Sequence, residues 1–144
     1  MAGDVALAML EQKGEWLLQL RDDIPDILYP GHWGLFGGHL ENNETAIDAI
    51  YRELTEEINW TPTTKLQSWF QHNNGQRTVH LFRGTLDVPL RALRLQEGQD
   101  LRLASLKLIR TGHLWSDVVA EQRPVAPGLK VVLERITHDD ESAK

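Results

Sequence analysis

The chain has 144 residues, a length typical of one domain, and its hydrophobic fraction of 41% and charged fraction of 25% are ordinary for a globular protein. The formal net charge of −6 argues against a non-specific nucleic-acid or membrane surface, and the absence of cysteine excludes disulfides, thiolate metal sites and a thiol nucleophile. The N-terminal residues lack the pattern of a secretory signal, and no apolar run is long enough to span a membrane. We therefore expect a cytoplasmic protein.

The first half of the chain is predicted to form two strands, a loop, a short apolar segment and a helix. The strands are expected at 5–10 and 15–21, joined by a hairpin turn at Lys13-Gly14. Residues 22–32 are rich in proline and aspartate, which indicates a loop. An apolar run at 33–40 is interrupted by Gly37-Gly38, and a helix is expected at 45–58. Thr45 is its predicted N-cap, and Asn59 is suited to a left-handed C-terminal position.

The second half is predicted to alternate between strands and helices. A hairpin is expected from strands 66–72 and 78–86, because the turn between them is rich in asparagine and glycine. The remaining predictions are a loop at 90–99, a strand at 101–108, a short helix at 115–121 and a longer helix at 127–138. This alternation indicates a mixed sheet with helices on both faces. We expect a single domain at 1–138 and a polar C-terminal tail at 139–144.

The predicted helix at 45–58 carries a cluster of acids. At about 100° per residue, Glu53, Glu56 and Glu57 fall on an arc of roughly 100° and are neighbours one turn apart. Arg52 precedes Glu56 by one turn and can hold it by a charge-assisted hydrogen bond. The apolar stripe of the helix lies on another side, so we expect the acids to border the buried face without entering it. That stripe consists of Ile47, Ile50, Leu54 and Ile58.

Clustered carboxylates repel one another, and a cation would relieve that repulsion. An all-oxygen ligand set suits Mg²⁺, with Mn²⁺ also possible. The alternative is a solvated helix face, which is the usual role of a charge run. The glycine pair Gly37-Gly38, the isolated Glu44 and the Arg52-Glu53 pair occur at fixed offsets from the cluster, which favours a metal site next to phosphate chemistry.

Residues 38–60 closely resemble the signature box of the Nudix hydrolases, G-x5-E-x7-R-E-U-x-E-E-x-G-U, where U is apolar. Every position matches except Asn59, which replaces the last glycine and tolerates the same left-handed backbone. The resemblance implies an α/β fold, the α/β/α sandwich with a central mixed β-sheet. It implies hydrolysis of a pyrophosphate bond in a nucleoside diphosphate linked to another group. It also implies that Glu53, Glu56, Glu57 and the carbonyl of Gly37 hold the metal, with Arg52 orienting the acids.

Glu97-Gly98-Gln99 lies in a predicted loop about 40 residues beyond the acid cluster. By itself this tripeptide would indicate a turn. It is similar to a loop in MutT-type Nudix enzymes, where a glutamate approaches the metals as a ligand or as the general base. The resemblance therefore makes Glu97 a candidate metal ligand and catalytic base, with Glu53 as the competing candidate for the base.

Four residues are predicted to contact the substrate. Arg21 ends the second strand, where similar proteins often place a basic group for phosphate, although a surface arginine is an equal alternative. Trp33 could stack on a base, although core packing is also expected for an aromatic residue in this apolar run. Gly38 allows close approach of the backbone to a ligand, and His39 adjoins it where a phosphate would lie.

The layout of the chain favours a MutT-like enzyme that cuts nucleoside triphosphates, ribo or deoxy, to the monophosphate and pyrophosphate. Residues 121–124 lack the asparagine that reads oxidised guanine in some MutT enzymes. Nucleotide sugars and ADP-ribose remain alternative substrates. A non-catalytic nucleotide-binding regulatory domain is a further alternative, but such domains usually lose box acids that this chain keeps. The expected partner is a nucleotide, with no nucleic-acid polymer and no membrane, and the expected assembly is a monomer or homodimer.

Overall fold

The computed structural model describes residues 3–142, so residues 1–2 of the expected domain and residues 143–144 of the expected tail lie outside the described residues. Nine strands and three α-helices form within this range. The strands are β1 (Val5–Gln12), β2 (Glu15–Leu20), β3 (Trp33–Gly34), β4 (Phe36–His39), β5 (Gln67–Asn73), β6 (Thr78–Thr85), β7 (Asp100–Ser105), β8 (His113–Ser116) and β9 (Glu121–Pro124). The helices are α1 (Ala46–Ile58), α2 (Leu106–Ile109) and α3 (Gly128–Ser142).

Seven of the strands form one mixed sheet. An opening forms in its middle, where the neighbouring strands β1 and β2 stop pairing. β1 pairs with β6 in parallel, and the other pairs of this sheet are antiparallel. β1 and β2 pair only beside their shared turn, through Glu11 with Trp16 and Gln12 with Glu15. Further along, β1 takes β4 as its partner and β2 takes β3. The sheet therefore separates into two wings, and the β4 glycines lie close to the opening between them.

Helices cover both faces of the sheet, which confirms the predicted sandwich. The alternation of strand side chains produces two cores. Ala8 and Leu10 of β1 and Leu17 of β2 pack towards α1, together with the apolar stripe Ile50, Leu54 and Ile58. On the other face, a second core joins β1 and β2 to α3; its members include Met9, Trp16, Leu18, Leu129, Val132 and Ile136. No helix within residues 3–142 is long and apolar enough to cross a membrane.

Helix α1 begins and ends where the sequence predicts. The hydroxyl of Thr45 accepts a hydrogen bond from the backbone N–H of Asp48 at 3.2 Å, which satisfies one of the free donors of the first turn. Asn59 has φ 52° and ψ 45°, and its N–H donates to the carbonyl of Thr55. Asn59 thus adopts the left-handed conformation that a glycine usually supplies at this position.

Three predictions for the second half of the chain need correction. The short helix predicted at 115–121 is wrong: β8 and β9 form an antiparallel hairpin there, held to the sheet by a hydrogen bond from Ser116 Oγ to Asp100 Oδ2 at 2.7 Å. The strand predicted at 101–108 ends at Ser105, where α2 begins with Ser105 as its N-cap. Helix α3 continues past residue 138 to Ser142, so the polar residues 139–142 form its last turn.

Candidate active site

Arg52 is the centre of the ion-pair network on α1. Its guanidinium donates two hydrogen bonds to Glu44, with Nε to Oε2 at 2.7 Å and Nη2 to Oε1 at 2.9 Å. It also donates to Glu53 at 3.0 Å, to Glu56 at 3.1 Å and to the carbonyl of His39 at 3.0 Å. The hydrogen bonds that Glu44 accepts from Arg52 are the main cause of the lowered pKa of its carboxyl, which falls to about 2. Arg52 therefore joins the acids to the end of β4, which a simple surface ion pair would not do.

Glu57 is buried, which corrects the prediction that the acids only border the buried face. The residue is 2% exposed, and its carboxyl contacts β4 and β2 at the sheet opening. The backbone N–H of Gly37 donates to Glu57 Oε1 at 2.8 Å, and Gln19 Nε2 donates to Glu57 Oε2 at 3.3 Å. Burial, followed by repulsion from Glu53, raises the pKa of the Glu57 carboxyl to about 8. No cationic side chain of the described residues is paired with Glu57.

The two glycines of β4 make room for these acids. Gly37 has φ 143°, and a Cβ at this position would lie 2.0 Å from the carbonyl oxygen of Ala6. A Cβ on Gly38 would lie 2.7 Å from Cδ of Glu53, so the Glu53 carboxyl rests directly on the Gly38 backbone. Burial raises the pKa of Glu53, while Arg52 opposes that rise. A larger residue at either glycine would displace β1 or Glu53.

Glu97 lies on the exposed loop before β7 and belongs to the same electrostatic cluster. Its negative charge adds to the effect of burial in raising the pKa of both Glu53 and Glu57. The carbonyl of Glu97 accepts a hydrogen bond from Gln19 Nε2 at 3.0 Å. The backbone of this loop therefore lies beside Gln19 and the acid cluster, and the role of the Glu97 side chain stays a prediction.

The donor set suits a hard cation. Within residues 3–142, no three acidic or histidine side chains already converge in a metal-binding geometry. However, Glu53, Glu57 and Glu97 repel one another, and within the described part of the chain the Glu57 carboxyl accepts hydrogen bonds only from the neutral donors of Gly37 and Gln19. A divalent cation would offset this repulsion and accept carboxylate oxygens. The residues present therefore fit Mg²⁺ or Mn²⁺.

The residues that were predicted to contact the substrate lie in different environments. Trp33 is fully buried in the α3-side core, and its Nε1 donates to the carbonyl of Leu114 at 3.1 Å, which argues against stacking on a base. Arg21 Nε donates to the carbonyl of Leu28 at 2.8 Å, so this side chain anchors the loop after β2. His39 is exposed next to Gly38, and its Nε2 lies 3.3 Å from Nη1 of Arg77.

Two residues of this region were missed by the sequence analysis. Arg77 approaches His39 from the β5–β6 turn, and no local signal in the sequence identifies it. Gln19 is 4% exposed and contacts Glu57, although it lies in a strand of apolar residues. A lone amide between Leu18 and Leu20 is the signal that could have identified it, because a buried polar side chain needs a hydrogen-bond partner.

Comparison with known proteins agrees with this geometry. The profile of the NUDIX domain matches residues 2–122. No curated protein sequence matched significantly.

Solved structures of the same fold include three from different organisms. The MutT protein from Methanosarcina mazei Go1 is 19% identical, with 95% of this chain and 94% of that chain covered and a TM-score of 0.68. The E. coli ORF135 protein is 26% identical, with 94% and 88% covered and a TM-score of 0.64. The NUDIX domain of Shewanella oneidensis NrtR, complexed with ADP ribose, is 17% identical, with 96% and 88% covered and a TM-score of 0.70.

Proposed function

The chain belongs to the Nudix hydrolase family, and from that premise we propose that it hydrolyses nucleoside triphosphates, ribo or deoxy, to the monophosphate and pyrophosphate. The observation that carries the proposal is the buried carboxyl of Glu57 at the glycine turn of β4, which is repelled by Glu53 and Glu97 and is paired with no cationic side chain of the described residues. A buried carboxylate in this environment destabilises the folded protein unless it binds a ligand such as a cation, because burial penalises its charged form. The likeness of the fold to a MutT protein and the expected single domain support the hypothesis of a nucleoside triphosphate substrate.

We propose Mg²⁺ as the cofactor, with Mn²⁺ as a substitute. Glu53, Glu56, Glu57, Glu97 and the carbonyl of Gly37 would hold it. When bound, such a cation polarises a phosphoryl oxygen and offsets the charge of the leaving phosphate. Two donors orient this set. The Arg52 guanidinium binds Glu53 and Glu56, and the backbone N–H of Gly37 holds Glu57.

Glu97 is our proposed general base, with Glu53 as the alternative. A base must accept a proton from the attacking water, and a carboxylate that already accepts a hydrogen bond from arginine has fewer free lone pairs for that proton. Glu53 is bound to Arg52 at 3.0 Å, whereas Glu97 has no ion pair within residues 3–142. This difference favours Glu97. Arg21, His39 and the Gly38 backbone are proposed to contact the phosphates, with Arg77 added beside His39.

A substrate panel tests this proposal. The panel contains nucleoside triphosphates, oxidised deoxynucleoside triphosphates, ADP-ribose, nucleotide sugars and dinucleoside polyphosphates, each with Mg²⁺ and with Mn²⁺. We expect the highest kcat/KM with a nucleoside triphosphate and release of pyrophosphate. Preference for ADP-ribose or a nucleotide sugar would support the alternative hydrolase activity. Binding of a nucleotide without turnover under any condition would support the non-catalytic regulatory domain.

A further inference from the structure

Gln19 is a buried polar residue at the opening of the sheet. Its neighbours Leu18 and Leu20 belong to the α3-side core, so strand alternation directs Gln19 towards the opposite face, where α1 lies. It is 4% exposed, and its side-chain amide has two partners. Nε2 donates to Glu57 Oε2 at 3.3 Å and to the carbonyl of Glu97 at 3.0 Å. A single NH₂ group therefore joins the buried acid to the loop of the candidate base.

A neutral donor is well suited to this position. Gly37 N–H holds Oε1 of Glu57 and Gln19 holds Oε2, so both oxygens are oriented. Neither donor carries a charge, so neither repels a cation that approaches the carboxylate. A lysine or arginine in place of Gln19 would bind Glu57 more strongly but would compete with the metal.

The Glu97 loop is shaped around Gln19. A Cβ on Gly98, whose φ is 94°, would lie 2.9 Å from Cγ of Gln19 and 3.0 Å from its Nε2, so the loop backbone packs directly on this side chain. Gln96 ties the other side of the loop to α1, with its backbone N–H 2.7 Å from the carbonyl of Glu57. Gln99 Nε2 donates to the carbonyl of Arg21 at 2.9 Å. Among these three glutamines, only Gln19 contacts a carboxylate of the acid cluster within the described residues.

We propose that Gln19 is a positioning residue that sets the Glu57 carboxylate and the Glu97 loop for metal binding and proton removal. The proposal rests on the proposed function, because it assigns Gln19 to the same site. Hydrogen-bond partners of metal ligands commonly contribute about 10- to 100-fold to metal affinity or activity. A role limited to holding the fold would not change metal affinity in a folded variant.

The test measures Mn²⁺ affinity and steady-state kinetics of Gln19→Met, which keeps the side-chain length and removes the donor. We expect the Mn²⁺ Kd to rise about 10- to 100-fold and kcat to fall by a similar factor, with little change in KM for the nucleotide. Gln12→Met is the matched control, because Gln12 Nε2 also donates to two acceptors, but these are the carbonyls of Leu86 and Val88, away from the acids. The control should bind Mn²⁺ as the wild type does.

Gln19→Asn gives a second measurement if Gln19→Met does not fold. Asparagine keeps a neutral amide in the strand but is one methylene shorter, so it cannot reach both Glu57 and the Glu97 carbonyl, and Mn²⁺ affinity should fall by at least about 10-fold. Wild-type Mn²⁺ affinity in a folded Gln19 variant would overturn the positioning role alone. Unfolding of both variants would overturn it too, because Gln19 would then serve the fold. A wild-type protein without Mn²⁺ binding or turnover would overturn the proposed function itself.

Discussion

At the scale of single residues, Glu57 carries most of the proposed chemistry. Glu57→Gln keeps the shape of the side chain and an oxygen for the Gly37 N–H, but it removes the negative charge that a cation would bind. We expect kcat to fall at least about 100-fold, in line with the several kcal/mol that a catalytic metal supplies. The measurement is kcat at saturating Mg²⁺ together with the melting curve of the variant.

Glu134→Gln is the control for Glu57→Gln. Glu134 is also a helical glutamate, but it is exposed on α3 and outside the acid cluster. Its replacement should leave the rate unchanged. A near-normal rate for Glu57→Gln at saturating Mg²⁺ would remove Glu57 from the metal site.

Glu97 and Glu53 compete for the role of general base, and their amide variants distinguish them. If Glu97 is the base, Glu97→Gln should lower kcat by about 10²- to 10⁴-fold, because water then loses its proton acceptor. Single-turnover rates at saturating metal give the measurement without a contribution from product release. A loss below about 5-fold would assign the base to Glu53, since a positioned base contributes far more than that.

At the scale of elements, the last turn of α3 is attached to β5 by a polar contact. Trp69 Nε1 donates to Asp139 Oδ2 at 2.8 Å, and Arg135 Nε lies 3.1 Å from Oδ1. The Trp69 hydrogen bond, together with Arg135, lowers the pKa of Asp139 below its ordinary value of 3.8. A carboxyl with a depressed folded-state pKa stabilises the native protein above the unfolded pKa, and that contribution is lost as the pH falls through the folded pKa.

Asp139→Asn should therefore lower Tm by a few degrees at pH 7. The difference from the wild type should shrink as the pH falls below 3.8, the ordinary value for this carboxyl. Asp140→Asn is the matched control, because Asp140 is exposed and has no side-chain hydrogen bond within residues 3–142. Thermal melts across this pH range give the measurement. An equal Tm difference at pH 7 and pH 2.5 would contradict the ionic contribution of Asp139.

The elements also show what could be predicted from the sequence. Helix α1 was predictable because its cap at Thr45, its apolar period and its end at Asn59 are local signals. The β8–β9 hairpin was not, because Ser116 gains its strand position from Asp100, sixteen positions earlier in the chain. The burial of Glu57 likewise depends on three strands, since β2 supplies Gln19, β4 supplies Gly37, and β1 separates from β2. Helical spacing alone contains none of that information.

At the scale of the whole molecule, the proposed metal site would couple metal binding to folding. A cation that binds only the folded protein stabilises it by mass action. We expect excess chelator to abolish turnover, and added Mg²⁺ or Mn²⁺ to restore it and raise Tm. The Tm increase should be absent in Glu57→Gln, which serves as the internal control. Full activity in excess chelator would remove the metal mechanism.

The route of hydrolysis follows from the groups that meet at the site. The chain has no cysteine, and the side chains brought together there are carboxylates, the Arg52 guanidinium and the Gln19 amide. No serine or histidine within the described residues is paired with a base in this cluster. Direct attack by water is therefore favoured over a covalent intermediate.

The site of attack can be read from the fate of the oxygen of the attacking water. For a MutT-like reaction, water attacks the β-phosphorus of the nucleoside triphosphate, because the monophosphate is then the leaving group. A single turnover in ¹⁸O-water should place the label in pyrophosphate and leave the monophosphate unlabelled, as measured by mass spectrometry of both products. Label in the monophosphate would mean attack at the α-phosphorus and a different Nudix subclass. Stepwise release of orthophosphate would contradict pyrophosphohydrolase activity altogether.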